Sequence, residues 1–380
     1  MPQNSTVTTF WNSFTMANDS PDFVAQHLIG GAELNHDLRL QSGGCGIHLR
    51  SNSAELIARL RQYFAHIVRA QLDTAIEVIA VERDAVELPF ELVDWKREPG
   101  KSGRKDAIFD LPGARLIHKV RTGMNFLQSP QLRIAAGSCV AHDNQVINFI
   151  NNQLMTELQN DGWLNCHAAA FEYQGQALAI AGFSGGGKST LMLHLLEDPA
   201  TRFMTNDRLF IKREGEDTQA TGIPKLPRIN PGTILNNPRL QPLIDSERRE
   251  QLAKMDRAAL WELEEKFDAD IESLYGPDRI QPESRPLEAF LVLNWKRDSD
   301  APLTLNRVQL DQRPDLLAAI MKSPGPFYQR QDGSFLSDDN TIDPAPYLSY
   351  LRGVTVYEAS GGIDFDALAE RFKAQVKQHD

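Results

Sequence analysis

The chain has 380 residues, of which 41% are hydrophobic and 24% charged, with a formal net charge of −11. That length suits two or three domains with a substantial core; the acidic balance argues against a general nucleic-acid-binding surface, and no apolar run approaches the roughly 18 residues of a membrane span. Three widely separated cysteines, Cys45, Cys139 and Cys166, and an N-terminus lacking a basic stretch followed by an apolar one, fit a cytoplasmic protein whose thiols are small buried residues.

In chain order, residues 1–21 are polar and weakly patterned and read as a loosely held arm. Leu38 and Leu40, a Gly43–Gly44 turn, then Ile47 and Leu49 alternate as a hairpin does. Ser53 is placed to cap a helix carrying Leu56, Ile57, Leu60, Tyr63, Phe64 and Ile67. Strand-like runs follow at 76–81, 114–120 and 132–136, around a basic loop with Lys96, Arg97, Lys101, Arg104 and Lys105 that reads as a solvated surface. Residues 22–143 are thus expected to form a small α+β domain. The stripe Val146, Phe149, Ile150, Leu154, Met155 and Leu158 predicts a connecting helix over 144–162, with Gly162 at its C-terminal end.

Two apolar runs, 167–173 and 177–181, separated by Gln174-Gly175-Gln176, predict a hairpin that feeds into a glycine-rich turn. That turn has the spacing G-x-x-x-x-G-K-[ST] of a P-loop, from Gly182 through Phe183, Ser184, Gly185, Gly186 and Gly187 to Lys188, Ser189 and Thr190. Glycines let successive amides converge on a phosphate. Lys188 offers a compact cation to the β- and γ-phosphates of ATP, Ser189 a hydroxyl to Mg²⁺, and the helix expected to follow points its N-terminus at the same anion. Beyond that helix, 201–207 reads as an apolar strand ending in Asn206 and Asp207, where Asp207 can reach the metal or the attacking group. The proline-rich segment 222–233 carries Lys225 and Arg228, and is either an active-site loop offering cations to a phosphate or acceptor, or a rigid connection.

Farther on, Leu252, Met255, Leu260, Leu263, Phe267, Ile271 and Leu274 predict one long charged helix over 246–275. Strands are expected at 289–295, 303–310 and 354–359, and helices at 314–321 and from Asp364. The P-loop domain is expected to span 163–295, with 296–380 an α/β extension packed on it. The loop alone would suit an ABC-type ATPase, but no Leu-Ser-Gly-Gly-Gln signature follows, and Asp207 comes too early.

Over residues 163–212 the arrangement resembles the HPr kinase/phosphorylases, and more closely the bacterial HPr-kinase-related kinases. That family has a histidine fifteen residues before the first P-loop glycine, as His167 precedes Gly182. Its loop, G-x-S-G-x-G-K-S, is matched here, and its acidic strand ends in Asp-Asp where this chain has Asn206-Asp207. The resemblance implies an α/β fold of the HPr kinase/PEP carboxykinase-like kind, with a mixed sheet in the P-loop nucleotide-binding domain. It implies transfer of the ATP γ-phosphate to a serine-like hydroxyl of a protein or small molecule, and a homo-oligomer. His167 would sit near the γ-phosphate or acceptor, and Ser189 and Asp207 at Mg²⁺. The family's base position is Asn206, whose amide orients a hydroxyl but takes no proton; Thr190 replaces the usual glutamate. A regulatory ATP-binding module acting through a partner, and a P-loop ATPase, are the alternatives.

Overall fold

Backbone pairing in the computed structural model, which describes residues 20–97, 103–183, 185–256, 259–260, 263, 265–296, 299–339 and 341–376, builds two large sheets, one in each of two units, and a small two-stranded one. One unit holds the chain up to Asp161 together with 324–341; the other holds 162–323 and 342 onward. Residues 1–19 of the arm expected over 1–21, the centre of the basic loop with Lys101, and Ser184 lie outside the described residues, while Ser20 and Pro21 already belong to the start of the first helix.

In the first unit, helix α1 (Pro21–Ile29) starts behind Ser20, whose side chain accepts from the Phe23 amide. The hairpin β1 (His36–Ser42) and β2 (Cys45–Ser51) forms in the register that the Leu38/Leu40 and Ile47/Leu49 alternation predicts. Ser53 caps α2 (Ala54–Tyr63) by accepting from the Leu56 amide. Strand β3 (Ile76–Glu82) pairs parallel with β2 and with β8 (Arg133–Gly137). A meander of β4 (Val93–Asp94), β5 (Asp106–Leu111), β6 (Ala114–Lys119) and β7 (Asn125–Gln128) completes eight strands in the order β1-β2-β3-β8-β7-β6-β5-β4. Helix α3 (Asp143–Asn160) ends at Asp161, one residue before the expected glycine. Its Phe149 packs in this unit's core against Phe126 and Phe327, so the helix is part of the unit rather than a separate connector.

The second unit begins with β9 (Leu164–Cys166), β10 (Ala168–Tyr173) and β11 (Gln176–Gly182). Strands β10 and β11 pair antiparallel through the expected turn at Gln174–Gly175. Helix α4 (Lys188–Leu195) follows, then β12 (Thr201–Thr205), β13 (Leu209–Glu214) and β14 (Asp217–Thr221). The proline-rich segment is not wholly irregular. Arg228–Ile229 (β15) pairs with Phe267–Asp268 (β16), and Pro231 opens the short helix α5 (Pro231–Leu235). The long helix expected over 246–275 does not form as one element. Helix α6 (Ser246–Ala253) stops at Lys254, β16 interrupts the run, and α7 (Ile271–Tyr275) restarts behind Asp270, whose carboxylate accepts from the Ser273 amide. Asp256 likewise accepts from the Ala259 amide. Such short acidic side chains compete for backbone donors and break helices. The apolar stripe is still buried or half-buried against one core, with Leu252 and Ile271 inside it.

Strand β17 (Arg285–Leu293) pairs parallel with β11 and with β19 (Thr355–Ser360), and antiparallel with β14; β18 (Thr304–Arg307) pairs with β19. The sheet is therefore mixed. Helices α8 (Pro314–Ile320), α9 (Pro344–Tyr350) and α10 (Phe365–Val376) complete the α/β unit. Because β18 and β19 extend the same sheet as β11 and β17, the boundary expected at 295/296 falls inside one unit. Among the described residues no helix is long and apolar enough to cross a membrane.

Candidate active site

The glycine-rich loop leaves the carboxyl end of β11, the buried strand between β10 and β17. Gly182 pairs with Leu293 of β17, and a Cβ at Gly182 would lie 2.9 Å from both the Cβ and the carbonyl oxygen of Leu293. Phe183 is exposed, and its carbonyl accepts from the Gly186 amide at 2.9 Å, closing the turn. Gly185 is exposed as well, and Gly186 half-buried. Gly187 caps α4 with φ +84°, a left-handed conformation in which a side chain would also meet the Phe365 ring at 2.9 Å. The loop is braced from below. Trp295 Nε1 donates to the Gly186 carbonyl at 2.8 Å, and the Trp295 ring meets Phe365 of α10 edge-on at 5.1 Å.

Lys188, Ser189 and Thr190 form the first turn of α4, all half-buried. Lys188 Nζ donates to the Gly182 carbonyl at 3.2 Å. Burial pushes its pKa down; Asp207 pulls it up, and Lys322 and Lys266 add to the fall. Thr190 Oγ1 lies 2.9 Å from Thr233 Oγ1, which ties α4 to the segment carrying Lys225 and Arg228.

Asn206 and Asp207 follow β12, as the apolar run ending in polar residues predicts. Asp207 Oδ1 accepts from His167 Nε2 at 3.1 Å, and Oδ2 lies 3.6 Å from Arg208 Nε. His167 is itself fixed, its amide donating to the Ile320 carbonyl at 2.7 Å. Burial works against the Asp207 charge, yet the His167 hydrogen bond and the charges of Arg208, His167 and Lys322 together hold its carboxyl well below the usual carboxylate range. The side chain keeps 44% of its surface exposed, so the carboxylate is ionised and reachable. Asn206 Oδ1 is buried and makes no hydrogen bond among the described residues.

Lys225 joins this cluster. Burial pushes its pKa down to about 8, helped by Arg208 and Arg228 and opposed by Asp207 and Asp268. Arg228 Nε lies 3.4 Å from Asp268 Oδ1. The fold thus brings His167, Lys188, Asp207, Lys225 and Arg228 into one electrostatic neighbourhood. It adds Arg208, Lys266, Lys322 and the loop brace Trp295. Only Arg208, adjacent to Asp207, carried a local signal; the others reach the site from distant segments.

Among the described residues no group of three His, Cys, Asp or Glu side chains forms a protein-only metal site. Mg²⁺, which keeps waters and phosphate oxygens as ligands, needs only one or two protein groups, and the Ser189 hydroxyl and Asp207 carboxylate fit that requirement.

No protein-family model matches this chain, and no curated protein matches it. Among solved structures it is similar to the Hpr(Ser) kinase/phosphatase from Coxiella burnetii, with 14% identity over 57% of this chain and 89% of that one, at a TM-score of 0.28.

Proposed function

We propose that the chain is an ATP-dependent phosphotransferase acting on an alcohol hydroxyl. The observation that carries this reading is the meeting of Lys188, at the end of a glycine-rich loop on a helix N-terminus, with the charge of the reachable Asp207–His167 pair. A loop of this kind offers backbone amides and a lysine to a triphosphate. An ionised carboxylate beside it suits Mg²⁺, with Ser189 as the second protein ligand; the metal, when bound, neutralises charge on the phosphates.

In the transfer, the acceptor oxygen attacks the γ-phosphorus, the bond from that phosphorus to the β,γ-bridging oxygen breaks, and ADP leaves with the bond's electron pair. The hydroxyl proton goes to a base. With Asp207 ionised and accepting, His167 Nε2 carries a proton, so Nδ1 of a neutral imidazole is the ring's basic nitrogen. Asp207, whose charge is strongly stabilised, orients that ring and steadies the imidazolium formed, while His167 takes the proton. A loose transition state relies chiefly on positioning and charge neutralisation, so the amide at Asn206 does not forbid transfer.

Incubation of the protein with ATP labelled at the γ-position and fractionated cell extract tests this. Label in one acceptor fraction, lost with Lys188→Ala, is the expected result; no labelled fraction would count against it. One observation favours a second reading, a regulatory ATP-binding module: Asn206, at the position of the family's base, has its carbonyl buried. Tight nucleotide binding without any transfer would support that alternative.

A further inference from the structure

Eight buried side-chain polar atoms make no hydrogen bond among the described residues, and four of them belong to Asn165, Asn206 and Arg208, within two residues of His167 or Asp207. Asn165 differs from the others: both its amide atoms lack a partner among the described residues, although only 3% of the residue is exposed. Buried polar groups are rarely left so. Its backbone is nevertheless fixed. In β9 it pairs with Phe210 of β13, and its carbonyl accepts from the Tyr347 hydroxyl at 2.6 Å.

The strand sets the direction of the side chain. Cys166, Ala168 and Ala170 enter one core with Leu209 and Ile211, so Asn165 and His167 project from the opposite side of the chain. Positions two apart on a strand lie about 6.6 Å from each other. Asn165 makes no direct bond to His167 across that interval, and a single water, about 2.9 Å from each partner, bridges such a distance. Arg208 lies at the same place. Its Nε is 3.6 Å from the Asp207 carboxylate that accepts from His167 Nε2 at 3.1 Å, and its Nη1 is one of the four atoms. A buried water makes about three hydrogen bonds, and Asn165, Arg208 and the second ring nitrogen of His167 supply that number.

We infer that Asn165 and Arg208 hold one buried water against Nδ1 of His167, and that the acceptor's hydroxyl proton reaches the ring through this water. This deepens the phosphotransfer reading and rests on it. As the acceptor oxygen attacks, its proton passes to the water while the water gives one of its own to Nδ1. The water is thus unchanged, and Asp207 steadies the imidazolium. An amide suits this place because it carries donor and acceptor together and holds the water before and after the transfer without gaining charge. Asn165 touches neither acceptor nor nucleotide; it is a positioning residue that acts through the water on His167.

The first arm of the test needs no activity. In a crystal structure of the full chain, an ordered water should lie within hydrogen-bond distance of both the Asn165 side chain and His167 Nδ1. With isotopically labelled histidine, at a pH where the ring is neutral, nitrogen NMR should show His167 Nδ1 as a hydrogen-bonded acceptor. Loss of that resonance in His167→Gln assigns it, and in Asn165→Leu it should move toward the position of a nitrogen without a hydrogen bond. In the second arm, Asn165→Leu should lower the kcat of transfer by about tenfold or more while the acceptor KM and the affinity for AMP-PNP stay unchanged. Asn165→Ser, whose hydroxyl still offers the water a partner, should restore most of it. If Asn165→Leu does not fold, the wild-type crystal and the wild-type resonance decide. The inference is overturned by a wild-type crystal without that water, by a wild-type Nδ1 resonance free of any hydrogen bond, or by an unchanged kcat in Asn165→Leu. Transfer without the water overturns the relay alone; no transfer by the wild type with the water in place would sink the phosphotransfer reading, and the relay with it.

Discussion

At the scale of single residues, the account turns on a carboxylate kept charged and a histidine kept oriented. General acid–base groups contribute about 10²–10⁴-fold, so His167→Ala and Asp207→Asn should each lower the single-turnover transfer rate by at least the smaller of those factors. Quenched-flow measurement at saturating nucleotide checks it. Lys225 gives a prediction about pH. Its folded-state pKa, about 8, lies below its ordinary 10.5, because burial and the charges of Arg208 and Arg228 outweigh Asp207 and Asp268. Between those values the unfolded chain binds more protons than the folded one, so stability rises with pH across that window. Lys188 shifts in the same direction. The expected outcome is therefore a smaller rise in Lys225→Met than in wild type, read from denaturation midpoints between pH 8 and 10.5. His167, Lys188 and Asp207 were legible in the sequence because their chemistry follows one short stretch of chain. Lys266 and Lys322 were not, since only the fold brings their segments to Lys188.

At the scale of elements, the loop between β11 and α4 depends on what packs beneath it. A methyl group at Gly187 meets both a left-handed backbone and the Phe365 ring. Gly187→Ala is expected to cost about 1–3 kcal/mol in urea denaturation. Trp295→Phe keeps an aromatic ring against Phe365 but deletes the donor to the Gly186 carbonyl. A hydrogen bond of that kind is worth about 0.5–1.5 kcal/mol, so affinity for AMP-PNP should fall severalfold in a fluorescence titration while the melting temperature changes little. The hairpin and the strand ending before Asn206 were readable because short continuous apolar runs, the first two joined by a Gln-Gly turn, mark strands buried on both faces. The 246–275 stretch was misleading for the opposite reason. Its apolar residues do fall at helical spacing and do face one core, but Asp256 and Asp270 accept from backbone amides three residues on, and β15 recruits Phe267–Asp268 as a strand.

At the scale of the whole molecule, two units each carry their own core, and the chain passes between them three times, at 161–162, 323–324 and 341–342. The last two crossings had no sequence signal, because 324–341 is a proline- and glycine-bearing polar stretch in which Phe327 is the buried hydrophobic side chain among the described residues. In the first unit that ring lies 5.6 Å from both Phe126 and Phe149. Phe327→Ala is expected to cost about 3–5 kcal/mol of that unit's stability, seen as an earlier unfolding transition in calorimetry. The central claim is that the loop at 182–190 and the Asp207–His167 pair together move a phosphoryl group to an acceptor rather than to water. The most direct test is the rate of ADP formation by the full chain, with and without the acceptor-containing fraction, in wild type and in Asp207→Asn. The account predicts ADP formation that requires the acceptor and falls by about 10²-fold or more in the variant. ADP formed equally without acceptor, or at an unchanged rate in Asp207→Asn, would contradict it.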